Sequence, residues 1–196
     1  MTSITLENND YKKEIKQKTA KPLLWIGLMS IVMFFAGLTS AVIVSKGTAV
    51  WETIQIPSAF AISTVFILLS SLTFYIGERS LKNNQLTKGK LFILVTLLLG
   101  LLFTVTQYIA WTDLYKNGVV WAGSESSAAG SYFYALTALH LLHLLGGLIS
   151  LLVVNIKSVK EKYNTENLLG VQLSSTYWHF LTALWVYLYL FLIFIA

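Results

Sequence analysis

The sequence predicts an all-α, polytopic membrane protein with five transmembrane helices, an inside N-terminus and an outside C-terminus. Three observations predict this: the overall composition, the spacing of the charged residues and their sign. Of the 196 residues, 56% are apolar and 12% are charged, whereas a soluble domain has about 25% charged residues. This composition argues against a soluble globular domain.

Charged residues are absent from five long stretches of the chain. These stretches are residues 22–45, 55–77, 91–112, 131–156 and 173–196. A helix needs about 20 apolar residues to cross a bilayer, so each stretch predicts one span and residues 22–196 form one five-helix domain. Pro22 and Pro57 lie near the start of a stretch, where a missing N–H costs a helix little. Residues 1–21 are polar and are expected to form a cytoplasmic tail.

The basic residues predict the orientation of these helices. Of the 14 Lys and Arg residues, Lys46 and Lys116 alone follow the first and third stretches; all others precede the first stretch or follow the second and fourth. Connections rich in Lys and Arg stay on the cytoplasmic side, so the N-terminus is expected inside. The net charge of +5 thus reflects orientation and gives no reason to expect a nucleic-acid partner. Because the chain has no cysteine, thiolate chemistry, Fe–S clusters and Cys-based copper sites are excluded.

Small and polar residues recur every three or four positions along each predicted helix. In lipid, helices associate through small residues that permit close approach and through side-chain hydrogen bonds. We therefore interpret these stripes as helix-packing faces. The stripe of the first helix comprises Gly27, Ser30, Phe34, Gly37 and Ala41.

Few side chains within the spans could carry chemistry, and they are Gln107, His140, His143 and His179. Polar groups inside a membrane are costly and often functional. The histidines could ligate haem, relay protons, or orient a neighbouring subunit or lipid headgroup. The simplest interpretation, which the spacing favours, is neutral imidazoles that bond groups on adjacent helices. The spans contain no charged residue, which argues against an ion-coupled transporter.

Several motifs occur in order along these helices. They are Met33-Phe34-Phe35 with Gly37; Pro57 followed by Ser63-Thr64, Ser70 and Thr73; Gly100-x-x-Phe103-Thr104-x-x-Gln107; Gly130-Ser131-Tyr132-Phe133 continuing to Thr137-x-x-His140-x-x-His143-x-x-x-Gly147; and Tyr177-Trp178-His179-Phe180 followed by Trp185. Together they resemble subunit III of the haem–copper (cytochrome c) oxidases, in a five-helix form, over nearly all of residues 22–196.

The resemblance implies a subunit of a terminal respiratory oxidase that is not itself catalytic. Haem and copper are expected in the partner catalytic subunits and not on this chain. The implied partners are catalytic subunit I, subunit II and membrane phospholipids, in the plasma membrane of a prokaryote. The implied role is to stabilise the catalytic subunit and to hold lipids, with a part in guiding oxygen and supporting proton uptake. The positions expected to be structural or lipid-contacting are Gln107, Thr137, His140, His143, His179 and Trp185.

The chain departs from the family pattern in two ways. Longer members have seven helices with lipids in a cleft beside the first two, so a complete cleft here would need helices from another chain. Four positions that are often acidic in the family are neutral: Ile31, Ala110, Gln172 and Thr182. Neutral side chains cannot carry protons as a buried carboxylate does, so we expect a weakened or absent proton role. A small haem-b-binding membrane protein and a stand-alone transporter remain the alternatives, and the electron donor, cytochrome c or quinol, is left open.

Overall fold

Five long helices make up the computed structural model of the chain. They are α1 (Thr2–Thr48), α2 (Ser58–Lys82), α3 (Leu86–Lys116), α4 (Ala128–Val159) and α5 (Leu169–Ile195). The structure describes residues 2–48, 51, 53–123, 127–159 and 168–195. Each helix contains a span long and apolar enough to cross a membrane. The predicted fold class of five membrane-spanning helices is therefore confirmed, while the orientation stays a prediction.

Helix α1 begins well before the first charge-free stretch. Residues 2–21, expected as a polar tail, are helical, and the apolar span inside α1 covers Lys18–Gly47. Pro22 consequently lies in the helix interior, where proline removes a backbone hydrogen bond and crowds the preceding turn. The expectation that Pro22 lies near the start of a helix was wrong. Pro57 does precede α2 directly, and its carbonyl accepts the Phe60 N–H at 3.1 Å.

The connection between α2 and α3 is a tight turn. Asn84 has a φ of 60°, a left-handed conformation that asparagine tolerates better than most residues. The N–H of Asn84 bonds the Leu81 carbonyl, and the N–H of Gln85 bonds the Ser80 carbonyl, which caps the end of α2 in a Schellman motif. This short turn makes α2 and α3 an antiparallel pair that packs along its length.

The centre of the bundle is a cluster of buried aromatic rings. Phe60 of α2 packs edge-to-face on Phe133 of α4, with ring centroids 5.3 Å apart, and stacks on Trp185 of α5 at 6.1 Å. Phe103 of α3 meets Trp185 edge-to-face at 5.1 Å. Four helices thus meet at one point, and His140 of α4 lies beside it, 5.0 Å from Trp185.

Helix α1 lies at the edge of the bundle and contacts α4 and α5. Its buried face carries Leu28, Phe35 and Val42 at seven-residue spacing. The small-residue stripe of this helix lies on the other side: Gly27 and Gly37 are exposed, and a Cβ added to either would meet no atom within 4 Å. The stripe predicted for helix packing therefore faces outward, because larger side chains occupy the inner face.

Candidate functional site

Two tryptophans of α5 donate hydrogen bonds across the bundle to hydroxyls of α2. The indole N–H of Trp178 bonds Ser70 Oγ at 3.0 Å, and that of Trp185 bonds Thr64 Oγ1 at 3.0 Å. Both rings are fully buried, and a buried indole N–H needs an acceptor. The serines and threonines of α2 supply those acceptors, which links the two helices by specific polar contacts.

Helix α3 is tied to both of its neighbours in the same way. The Gln107 carboxamide donates to Ser63 Oγ of α2 at 2.8 Å, and the Trp111 N–H donates to Thr137 Oγ1 of α4 at 3.2 Å. Thr137 in turn donates to the Phe133 carbonyl of its own helix at 2.9 Å. Gln107 and Thr137 are both buried, so these contacts lie inside the bundle, away from the surrounding lipid.

His140 differs from the other predicted site residues because neither ring nitrogen has a hydrogen-bond partner in the described part of the chain. The side chain is fully buried. Its ring contacts Phe103, at a centroid distance of 6.2 Å, and Trp185, at 5.0 Å. The imidazole therefore packs as one more ring of the central aromatic cluster.

His143 and His179 are half-buried, and each contacts a residue of another helix. His143 Nδ1 lies 2.7 Å from the Leu139 carbonyl of its own helix, so Nδ1 carries the proton, and the ring packs on Phe35 of α1 at 5.7 Å. His179 Nδ1 lies 2.6 Å from Ser71 Oγ of α2. The three imidazoles thus contact three different sets of helices.

This divergence bears on the predicted alternative of haem binding by the histidines. In the residues that the structure describes, no group of three His, Asp or Glu side chains is placed to hold a metal ion. His143 uses Nδ1 for a backbone contact, and His179 uses Nδ1 for a serine contact. The His179 contact joins α5 to α2, whereas the His143 contact stays within α4.

Two glycines of the sequence motifs, Gly100 and Gly147, leave room for the ring of Trp178. A Cβ at Gly100 of α3 would lie 2.8 Å from Trp178 Cη2, and one at Gly147 of α4 would lie 2.9 Å from Leu181 Cδ1 and 3.1 Å from Trp178 Cε3. Real Cβ atoms essentially never come within 3.0 Å of such a neighbour, so a Cβ at either position would force a shift. The glycines therefore allow α5 to insert this ring between α3 and α4.

Sequence reasoning missed several interhelical contacts. Thr39 of α1 and Tyr187 of α5 are joined through their hydroxyls at 3.1 Å, and the Tyr177 hydroxyl donates to the His143 carbonyl at 3.1 Å. Ser71, the partner of His179, was missed although it adjoins Ser70. The sequence offered one usable signal, since a hydroxyl within an apolar span needs a partner.

Four positions that are often acidic in the family carry neutral residues in this chain, and these residues lie in different surroundings. Ala110 is fully buried, Ile31 packs partly buried against the core, and Thr182 donates to the Trp178 carbonyl at 3.0 Å. Gln172 lines a cavity at one end of α5. None of these four side chains carries a carboxylate.

Comparison with known proteins identifies similar chains. Residues 23–196 match the family described as cytochrome c oxidase subunit III. The chain is 28% identical over 172 residues to cytochrome c oxidase subunit 3 of Corynebacterium diphtheriae, covering 84% of this chain and 82% of that one. It is 30% identical to a probable cytochrome c oxidase subunit 3 of Nocardia farcinica (85% and 82%). It is 29% identical to cytochrome c oxidase subunit 3 of Bacillus sp. strain PS3 (84% and 80%).

Proposed function

This chain belongs to the cytochrome c oxidase subunit III family and is a non-catalytic oxidase subunit, and we propose that it stabilises the catalytic subunit of a prokaryotic respiratory oxidase and holds lipids beside it. The partners in this proposal are catalytic subunit I, subunit II and phospholipids of the plasma membrane. Haem and copper belong to the partner subunits in this proposal.

One observation carries the structural part of the proposal. Many polar side chains within the spans bond another helix of the same bundle, as Trp178 does with Ser70 and Gln107 with Ser63. In a membrane, such bonds and close packing hold helices together. A rigid bundle of this kind is suited to bracing a neighbouring membrane subunit. In this proposal the positions with structural or lipid-contacting roles are Gln107, Thr137, His140, His143, His179 and Trp185. Two of them, His140 and His143, contribute through ring packing on other helices.

The neutral residues at Ile31, Ala110, Gln172 and Thr182 support a limited role in proton uptake. A proton carrier inside a membrane needs a group that titrates, and these four side chains have none. We therefore assign to this subunit stabilisation and lipid retention, with little or no direct part in proton transfer.

The test is an oxidase prepared from cells that lack this chain, compared with the same cells carrying it on a plasmid. We expect the oxidase without the chain to lose activity faster over successive turnovers. Normal proton pumping and sustained turnover over many cycles would contradict the stabilising role. A Soret band retained by the chain after separation from the catalytic subunits would instead favour the haem-binding alternative.

A further inference from the structure

A small cavity lies inside the bundle, at the end where α1 and α5 finish and α4 begins. Nine described residues line it, from these three helices and from the segment that joins α1 to α2. They include Val42 of α1, Ala129 and Leu136 of α4, and Leu192 of α5. Seven of the nine are buried, so the cavity belongs to the interior of the protein.

The cavity has room for one small molecule. The centre of a water-sized sphere can move through about 10 Å³ of it, which equals a sphere of about 1.3 Å radius. With the radius of the water-sized sphere itself, about 1.4 Å, the void is roughly 5 Å across. A diatomic molecule or a single noble-gas atom fits such a space, whereas a lipid headgroup does not.

The polar side-chain atoms of the lining are already engaged by other groups. Among the lining residues that the structure describes, only Trp51 and Tyr132 have such atoms. The Trp51 N–H donates to the Ile195 carbonyl at 3.3 Å, and the Tyr132 hydroxyl lies 3.0 Å from Ser45 Oγ. Lys46 Nζ donates to the same Ile195 carbonyl at 2.8 Å, so both lone pairs of that oxygen are used.

These properties favour an apolar occupant over water. A buried water typically makes about three hydrogen bonds to polar groups, whereas cavities lined by apolar side chains stay dry and take up xenon. An apolar molecule in the cavity loses no hydrogen bond and gains dispersion contacts with the walls. An ion is also disfavoured, because a buried charge needs a compensating partner. The cavity is therefore suited to a small, uncharged, apolar gas.

We propose that this cavity between α1, α4 and α5 binds one apolar diatomic gas molecule, and that dioxygen is its occupant in the working enzyme. The size of the void limits the occupant to one small molecule, and its polarity disfavours water and ions. The choice of dioxygen among such gases rests on the proposed function, because a respiratory oxidase consumes it. The inference goes beyond that function, since it gives the protein of this subunit a gas site of its own.

The test uses crystals of the intact oxidase, in its oxidised state, pressurised with xenon. Xenon is apolar and small enough for the void, and its anomalous scattering locates single atoms. We expect one xenon atom in the cavity, in van der Waals contact with Leu136 and Leu192. Adding dioxygen at equal pressure should lower the occupancy of xenon, because the two gases compete for one site.

Two pairs of variants change the cavity in opposite directions. Leu192→Ala enlarges the void, as large-to-small substitutions in a core do, and should raise the occupancy of xenon. Its control is Leu190→Ala on the same helix, where the side chain is exposed and no change is expected. Ala129→Val fills part of the void and should remove the xenon, whereas Ala138→Val, exposed on the same helix, should not.

Three results would overturn the inference. A cavity without xenon in the unsubstituted oxidase, whether empty or holding ordered water, would exclude the gas site. Occupancy that responds neither to Leu192→Ala nor to Ala129→Val would show that the xenon lies outside this cavity. Occupancy unchanged by added dioxygen would contradict dioxygen as the occupant. Subunit content and loss of activity over turnover are measured on the same preparations, so failure of the gas site is distinguished from failure of the stabilising role.

Discussion

The indole ring of Trp178 rests directly on Gly100, so that a single added Cβ at position 100 would come within 2.8 Å of Cη2 of the ring. The same ring donates its N–H to Ser70. One side chain of α5 thus fixes the distance to α3 by contact and the rotation relative to α2 by a hydrogen bond.

Replacing Gly100 with valine should destabilise the bundle. The added methyl groups would overlap Trp178 and also Leu148, whose Cδ2 lies 3.0 Å from the Cβ position. Overpacking of a well-packed core typically costs about 1–3 kcal/mol. We expect a loss of that size in the free energy of unfolding, measured by titration with denaturing detergent in mixed micelles.

The matched control for this substitution is Gly37→Ala on α1, where an added Cβ meets no atom within 4 Å. Alanine is a better helix former than glycine by up to about 1 kcal/mol. This variant should be as stable as the parent or more so. Equal stability of Gly100→Val and the parent would show that Trp178 does not pack on α3 as described.

The hydrogen bond between Trp178 and Ser70 should appear as a coupling energy. A double-mutant cycle with Trp178→Phe and Ser70→Ala cancels the packing changes of each single variant. Hydrogen bonds between helices in membranes contribute about 0.6 kcal/mol on average and at most about 1.7. We expect a coupling within that range in the unfolding titration. For comparison, a cycle that pairs Trp178→Phe with Thr106→Ala should give none, because Thr106 bonds carbonyls of its own helix.

His140→Leu should leave the stability of the bundle unchanged or increase it. The buried imidazole nitrogens have no partner among the described residues, and an unpaired buried polar group costs free energy. Leucine has a similar size and no polar atom to satisfy. His179→Leu should instead destabilise the bundle, because it removes the contact with Ser71.

Oxidase activity measured beside stability separates packing from chemistry at His140. We expect the His140→Leu oxidase to retain activity in proportion to its content of this chain. A stable, fully assembled complex with strongly reduced activity would contradict a purely structural role and would assign chemistry to the imidazole.

The predicted orientation can be tested with single cysteines, since the chain has none of its own. Thr87→Cys lies near the start of α3 and Ala122→Cys between α3 and α4, and both positions are exposed. A membrane-impermeant maleimide added to intact cells should label position 122 and spare position 87. Opened cells serve as the control for reactivity at position 87. Labelling of position 87 alone in intact cells would reverse the proposed orientation.

The sequence by itself determined the number, order and approximate limits of the helices. Each span must satisfy its own backbone hydrogen bonds in lipid, so an uncharged stretch such as residues 91–112 is sufficient to specify a helix. It also determined which few side chains within the spans could carry chemistry. The beginning of α1 was less predictable, because residues 2–21 are polar and carry no apolar period that would indicate a helix.

The tertiary structure decided which of those residues meet. Trp178 and Ser70 are 108 positions apart, and their contact depends on how α2 and α5 are rotated about their axes. The same rotation turns the small-residue stripe of α1 outward and leaves His140 among aromatic rings without a partner in the described chain. Rotation and neighbour order follow from packing over the whole bundle, which the periodicity of one helix does not encode.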